Sequence, residues 1–287
     1  MKKVVWLVTA LVLMNSFSSA NAERGSVGKP AERIVALAPH LVEIVYELGL
    51  GDKIVATVEY SDFPEAAKTI PRVGNFATIN VEAIARLQPD LVLAWGSGNP
   101  AKSLRKLEEL GFPVYRSEPK SLSDIANLME DVARISGHTE GLAAAEKYQQ
   151  KLDTLRQRYH QQSPVTVFYQ VWNQPLQTLS DQSVVSDVIK LCGGQNIFAD
   201  ALAVAPKVSV ETVLRRNPEV IVASGTDARR PPWLDEWKAW PNMQAVEKDQ
   251  LYFVPPDLIQ RHTPRLLLGA EMLCEQLADV RRKREES

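Results

Sequence analysis

Histidine and cysteine are scarce in this 287-residue chain, which holds four of the first and two of the second. His40, His138, His160 and His262 are scattered. None stands at i, i+4 spacing from another ligand type, so the sequence assembles no metal site. The motifs G-x-S-x-G, the Walker glycine-lysine loop, G-x-G-x-x-G and H-E-x-x-H are also missing, and with them the local signatures of the common hydrolases, nucleotide enzymes and metalloproteases. A basic excess is lacking as well: 33 Lys and Arg face 35 Asp and Glu. Without residues 1–22, whose only charges are Lys2 and Lys3, the balance is 31 against 35, or −4. Such a surface offers nucleic acid no attractive field. Beyond the N-terminus no apolar run approaches the roughly 20 residues of a membrane span. These absences point to a protein that is not itself an enzyme.

What is present begins with MKKVVWLVTALVLMNSFSSANAER. Two lysines, an apolar run from Val4 to Met14 and the A-x-A triplet Ala20–Asn21–Ala22 form the pattern of a secretory signal peptide, cleaved near Ala22. The apolar run is too short for the alternative, a membrane anchor, and no cysteine stands at the cleavage point to carry a lipid. The mature chain is expected in an exported, oxidising compartment. There Cys192 and Cys274 read first as a disulfide joining the helix near Leu191 to the C-terminal helix, and second as a catalytic thiol.

About 265 mature residues exceed what one compact core usually takes, so two lobes are expected. Short apolar runs at 33–38, 53–58, 90–95, 165–171, 219–224 and 251–255 read as buried strands alternating with helices. The segment 139–162 has no proline and, after Gly141, no glycine. Leu142, Ala145, Tyr148, Leu152, Leu155 and Tyr159 recur in it at helical spacing, which predicts one connecting helix. The fold class is therefore α/β, with two similar lobes, mostly parallel sheets and a stiff link: 23–138, 139–162 and 163–287. The final helix is expected to start with Thr263 as N-cap and Pro264 at the first helical position.

One stretch is written twice. NVEAIARLQPDLVLAWG from Asn80 and SVETVLRRNPEVIVASG from Ser209 align without gaps, with six of seventeen residues identical. LGLGDKIVA (48–56) echoes LCGGQNIFA (191–199). Each lobe is thus built on one plan, and a cleft is expected between them at the carboxyl ends of the strands. The loops after the strands carry His40, Tyr60, Phe63, Phe76, Trp95 and Trp172, and later Asp257, Arg261 and His262. Flat aromatic walls with a few polar handles suit a large, partly apolar ligand. For each ring the plainer account is core packing, where Trp237 and Trp240 are placed. Trp95 departs from it because its counterpart in the repeat is Ser224.

RIVALAPHLVEIVYELGLGDKIVATVEYSDFP, NVEAIARLQPDLVLAW, LCGGQNIF, VSVETVL and the D…R…PR run near the end together resemble the substrate-binding proteins of iron-complex and cobalamin importers, over nearly all of the mature chain. The resemblance implies a periplasmic, monomeric receptor with two lobes joined by a rigid helix, and a disulfide at Cys192 and Cys274. It implies cleft roles for Tyr60, Trp95, Asp257 and Arg261, with Phe76 standing where the cobalamin branch has a tryptophan. His40 and Trp172 complete the expected ligand-binding set; no catalytic residue, metal ligand or cofactor is expected. Cobalamin is the expected ligand. A haem or ferric siderophore competes, and calls for a basic cleft in which Arg229 and Arg230 face anionic groups. Two positions depart from the cobalamin pattern: Ala205 and Leu258 stand where that branch has aromatics, and Trp172 and Trp240 are candidates to replace the lost area. A metal-cluster oxidoreductase of similar fold would need free cysteines.

The resemblance also gives the doubled Glu82 and Glu211 a meaning. In the first turn of a helix each interacts favourably with the helix dipole, by roughly 0.3–1 kcal/mol. As a matched pair, one per lobe, they would meet arginines of a two-fold permease of an ABC importer, and duplication supplies the two similar patches such a partner needs.

Overall fold

A computed structural model describes residues 29–286 apart from Phe76 and His160. The expected signal segment lies outside the described residues. The first half runs β1 (Ile34–Ala36), α1 (Pro39–Glu47), β2 (Ile54–Thr57), α2 (Val81–Leu87), β3 (Leu91–Trp95), α3 (Ala101–Glu109), β4 (Val114–Ser117) and α4 (Leu122–Ile135). After α5 (Leu142–Tyr159) the second half runs β5 (Val165–Gln170), α6 (Val184–Leu191), β6 (Gly194–Asn196), α7 (Val210–Arg216), β7 (Val220–Ala223), α8 (Gln244–Glu247), β8 (Leu251–Phe253), α9 (Pro256–Ile259) and α10 (Leu266–Glu285).

Each half carries a parallel four-stranded sheet, in the orders β2-β1-β3-β4 and β6-β5-β7-β8, so the two topologies are the same. The central strands are short aliphatic runs buried on both faces, as parallel strands covered by helices must be. In both orders the direction of winding reverses between the first and third strands, the point at which a parallel sheet opens a crevice at its carboxyl ends.

The written repeat is a structural one. Asn80 caps α2 by accepting from Ala83 N at 2.9 Å, and Ser209 caps α7 by accepting from Thr212 N at 3.3 Å. Each helix stops in a left-handed residue, Gln88 (φ 45°) or Asn217 (φ 41°), just ahead of a proline. The acid after that proline then anchors the first strand of its sheet. Asp90 accepts from Glu32 N and Arg33 N, and Glu219 from Thr166 N. The second echo is displaced by one residue from its sequence alignment. The left-handed position that ends the preceding helix is Gly49 (φ 78°) in one lobe and Gly193 (φ 70°) in the other.

Helix α5 is eighteen residues, about 27 Å by helical rise. It is shorter than the expected 139–162: Thr139–Gly141 forms a 3-10 turn leading into it, and it closes at Tyr159, ahead of Ser163–Pro164. Its buried stripe, Ala145, Tyr148, Leu152, Leu155 and Tyr159, is the expected one less Leu142. The helix packs on α4 from one lobe and on α6 and α10 from the other. One apolar core consequently runs unbroken from Ile34 through Leu152 to Leu277, and a smaller cluster covers the outer face of each sheet. The disulfide Cys192–Cys274 lies wholly buried in this shared core, between α6 and α10. Helix α10 corrects its expected start: it begins at Leu266 with Arg265 as N-cap. Thr263 forms no cap: its hydroxyl is buried without a partner and reaches none of the first-turn N–H groups.

Candidate functional site

A cavity of about 680 Å³ opens between the lobes. Its first wall is built at the ends of β3 and β4 by Trp95, Ser97, Glu118, Pro119 and Lys120. The opposite wall comes from the loop after β5, the start of α6 and the segment after α9: Val171, Leu179, Asp181, Gln182, Ser183, Val184, Val185, Val204, Gln260 and His262.

Local chemistry fixes each side chain. Trp95 ends β3, and its backbone N donates to Asn99 Oδ1 at 2.7 Å while Asn99 Nδ2 donates to Leu37 O at 2.8 Å. That buried amide ties the third strand's exit loop to the first. The indole lies over Gly98, where any Cβ would collide with the ring. Ser97 donates through both its backbone N and its hydroxyl, each at 2.8 Å, to the Glu118 carboxylate and holds it at the cavity edge. Gln260 donates to Tyr169 Oη at 3.3 Å; burial pushes that phenol up to about 12, so it stays protonated. Asp181 is matched by Lys190 at 2.6 Å. The cavity therefore carries two carboxylates and one lysine and has no cluster of arginines.

The expected ligand residues do not all meet in one cavity. Trp95 lines the cavity. Tyr60 is 71% exposed on a left-handed backbone (φ 65°), a strained conformation for a large aromatic that persists only where the surrounding chain imposes it. Trp172 is 40% exposed, donates through Nε1 to Gln174 O at 2.9 Å, and lines an adjoining hollow with Pro232, Trp233 and Glu236. Its neighbour Val171 reaches the main cavity. His40 is buried, 6% exposed, behind Trp95, with ring centroids 5.6 Å apart and planes perpendicular. Asp257 and Arg261 pair with each other at 3.0 Å. Phe76 is outside the described residues. Trp240 does not replace the missing aromatic area: it packs on Trp237 at 5.4 Å in the outer core of the second lobe. Arg229 and Arg230 stay out of the cavity too. They line a separate hollow, and Arg230 is engaged by Asp235 at 2.8 and 3.1 Å.

Sequence reading missed a second lobe-to-lobe tie. Glu43, on helix α1 between apolar neighbours, is buried and accepts two 2.7 Å bonds from Arg265 and one of 3.3 Å from Arg261. Arg261 also reaches Asp62 at 2.7 Å. Burial raises the Asp62 pKa, but the bond and charge of Arg261 outweigh it and hold the carboxyl below its usual range. The Arg265 guanidinium stacks on Phe63 at 3.8 Å. The acid Glu43 inside the apolar run LVEIV was the available signal. Glu82 and Glu211 are exposed near the starts of α2 and α7, and Glu211's own backbone N–H and the Ser209 hydroxyl hold its carboxyl below the usual range.

Comparison with known proteins places these features. The family model for periplasmic binding proteins matches residues 34–258. The vitamin B12-binding protein of Vibrio cholerae is 44% identical over 250 residues, covering 86% of this chain and 90% of that protein. That of Yersinia pestis is 42% identical over 251 residues, covering 87% and 88%. The crystal structure of the periplasmic vitamin B12 binding protein of Vibrio cholerae superposes with TM-score 0.80 at 42% identity, covering 88% of this chain and 98% of that one. The periplasmic heme binding protein of the same organism matches with TM-score 0.74 at 18% identity, a likeness of fold alone.

Proposed function

The chain belongs to the periplasmic binding protein family, and on that premise we propose that it captures a corrinoid, vitamin B12, between its lobes and delivers it to the two-fold permease of an ABC importer. The observation that carries this reading is the composition of the 680 Å³ cavity: an indole on one wall, polar and aliphatic side chains on the other, and no basic cluster. Corrinoids present a flat macrocycle fringed by neutral amides, which stacking and hydrogen bonds satisfy. Haem carboxylates or a ferric siderophore call for cations, and the arginines suited to them are engaged elsewhere. Tyr60, Trp95 and Trp172 are assigned to the macrocycle, and Asp257 and Arg261 to its polar fringe. Phe76 and His40 complete the set, His40 from behind Trp95. The role is transport rather than catalysis, and the working form is a periplasmic monomer freed of residues 1–22.

Glu82 and Glu211 are assigned to docking. They occupy equivalent positions on matched helices, one per lobe, and both are exposed. Charge pairs of this kind steer the encounter and set its orientation. Calorimetry of the purified protein with cyanocobalamin, haem and a ferric siderophore tests the ligand. Heat is expected from the first; heat from either of the others without it refutes the assignment. The Glu82→Ala, Glu211→Ala double variant is expected to bind cobalamin in solution and to fail in uptake by cells, and normal uptake removes the docking role.

A further inference from the structure

Two histidines from opposite lobes converge beside Trp95. His40 starts α1, His262 follows α9, and their ring centroids lie 6.2 Å apart. His262 lines the cavity. Buried histidines ordinarily spend their ring nitrogens on structural hydrogen bonds. Here, among the described residues, none bonds to the His262 ring, and His40 Nε2 is buried with no partner at all. Imidazoles that hold nothing together, one of them facing a ligand cavity, lack a structural explanation.

We propose that His262 supplies an axial imidazole to the metal centre of the captured macrocycle, so that metal coordination contributes to ligand selection. The inference rests on the corrinoid reading above. Cobalt(III) in a corrin carries an exchangeable axial ligand, and imidazole is among the donors it accepts. The step balances simply: the imidazole lone pair forms a cobalt–nitrogen bond, the bound water leaves, and neither a proton nor an electron moves. Neutral imidazole is the form required. Burial pushes the His262 pKa down, with Glu118 and Asp124 pulling the other way, and burial together with His262 brings that of His40 down to about 3. His40 acts as a positioning residue, its ring set against both Trp95 and His262. The competing account is a His262 that merely donates a hydrogen bond to a ligand amide. It leaves the metal's spectrum untouched.

Visible spectroscopy of the full chain at neutral pH separates the two. On binding, aquocobalamin and diaquocobinamide are expected to show the band shift that free imidazole produces, whereas cyanocobalamin, whose cyanide stays bound, shows none. Aquocobalamin is expected to bind at least about tenfold more tightly than cyanocobalamin, since even outer-sphere partners change metal affinity by roughly 10–100-fold. In His262→Ala both the shift and the preference are expected to vanish. Tight binding without a shift overturns the inference and leaves the proposed function standing, and so does a shift that survives His262→Ala. Failure of every corrinoid to bind overturns both. A low-spin, six-coordinate haem spectrum in that last case transfers the imidazole to iron and refutes the cobalt assignment.

Discussion

Removing the charge from Glu43 should loosen the protein more than a single side chain suggests, because Glu43 is the buried acid of α1. The carboxylate is 4% exposed and accepts three bonds from two arginines of the other lobe. Breaking a buried ion pair by deleting one partner costs roughly 3–5 kcal/mol. Glu43→Leu should reach that range, because among the described residues Arg265 then keeps the Phe63 ring but no bonded carboxylate. Glu43→Gln preserves shape and one acceptor, and Arg261 still has Asp62 and Asp257. About 2 kcal/mol is expected there, a hydrogen bond to a charged group being worth roughly 1.5–3 kcal/mol. For a chain of this size that lowers Tm by about 4–8 °C. Thermal unfolding followed by circular dichroism gives the number, at low salt and near 1 M salt. A pair this buried should be screened little, so the deficit should persist when the Debye length falls to about 3 Å. A Glu43→Gln variant within about 0.5 kcal/mol of the parent, or a deficit abolished by salt, would refute the reasoning.

The Cys192–Cys274 disulfide closes a loop of 82 residues. Replacing both by alanine should cost about 4–5 kcal/mol in the chain-entropy account, and a loss under about 1 kcal/mol in urea unfolding, by the ordinary size of surface changes, would contradict it. His40 stays neutral in the fold down to about pH 3 because it is buried, and an unfolded histidine titrates near 6.5. Above pH 6.5 neither state holds the proton. Below it the unfolded chain binds one that the native chain refuses, so stability falls by about 1.4 kcal/mol per pH unit, roughly 2 kcal/mol by pH 5. His40→Asn should flatten that slope, and parallel pH profiles for the variant and parent would show the histidine to be solvated.

The repeat made much of the fold legible. Caps, prolines and apolar strands are local signals, and Asn80, Ser209, Pro89 and Pro218 each do in three dimensions what their chemistry dictates. The helical stripe of α5 was equally readable, since 3.6-residue spacing is carried by the local sequence. The cavity was less so. Trp95 betrayed itself by differing from Ser224, but Glu118, Gln260 and Val204 lie far apart in the chain and meet only because the lobes face each other. The Glu43–Arg265 tie spans 222 residues, and no periodicity announces it. Thr263 forms no helix cap although the local signal is sound, because its side chain is packed wholly inside the fold with no partner for the hydroxyl.

Two independent ties, α5 and the Glu43 clamp, hold the lobes apart at a set distance, and the shared core makes that spacing costly to change. Opening the gap by a hinge through α5 would expose Tyr148, Leu152 and Leu155, all buried against both lobes. Each such side chain contributes roughly 1.5–3 kcal/mol of burial. A ligand entering the cavity would have to offset that loss before gaining any affinity, so large closure is a poor route to tight capture. A prebuilt gap avoids the cost, since a site already in its bound geometry spends little binding energy on ordering. On the proposed function, selectivity would then fall to the walls: to the indole of Trp95, to the scarcity of cations, and to the imidazole of His262.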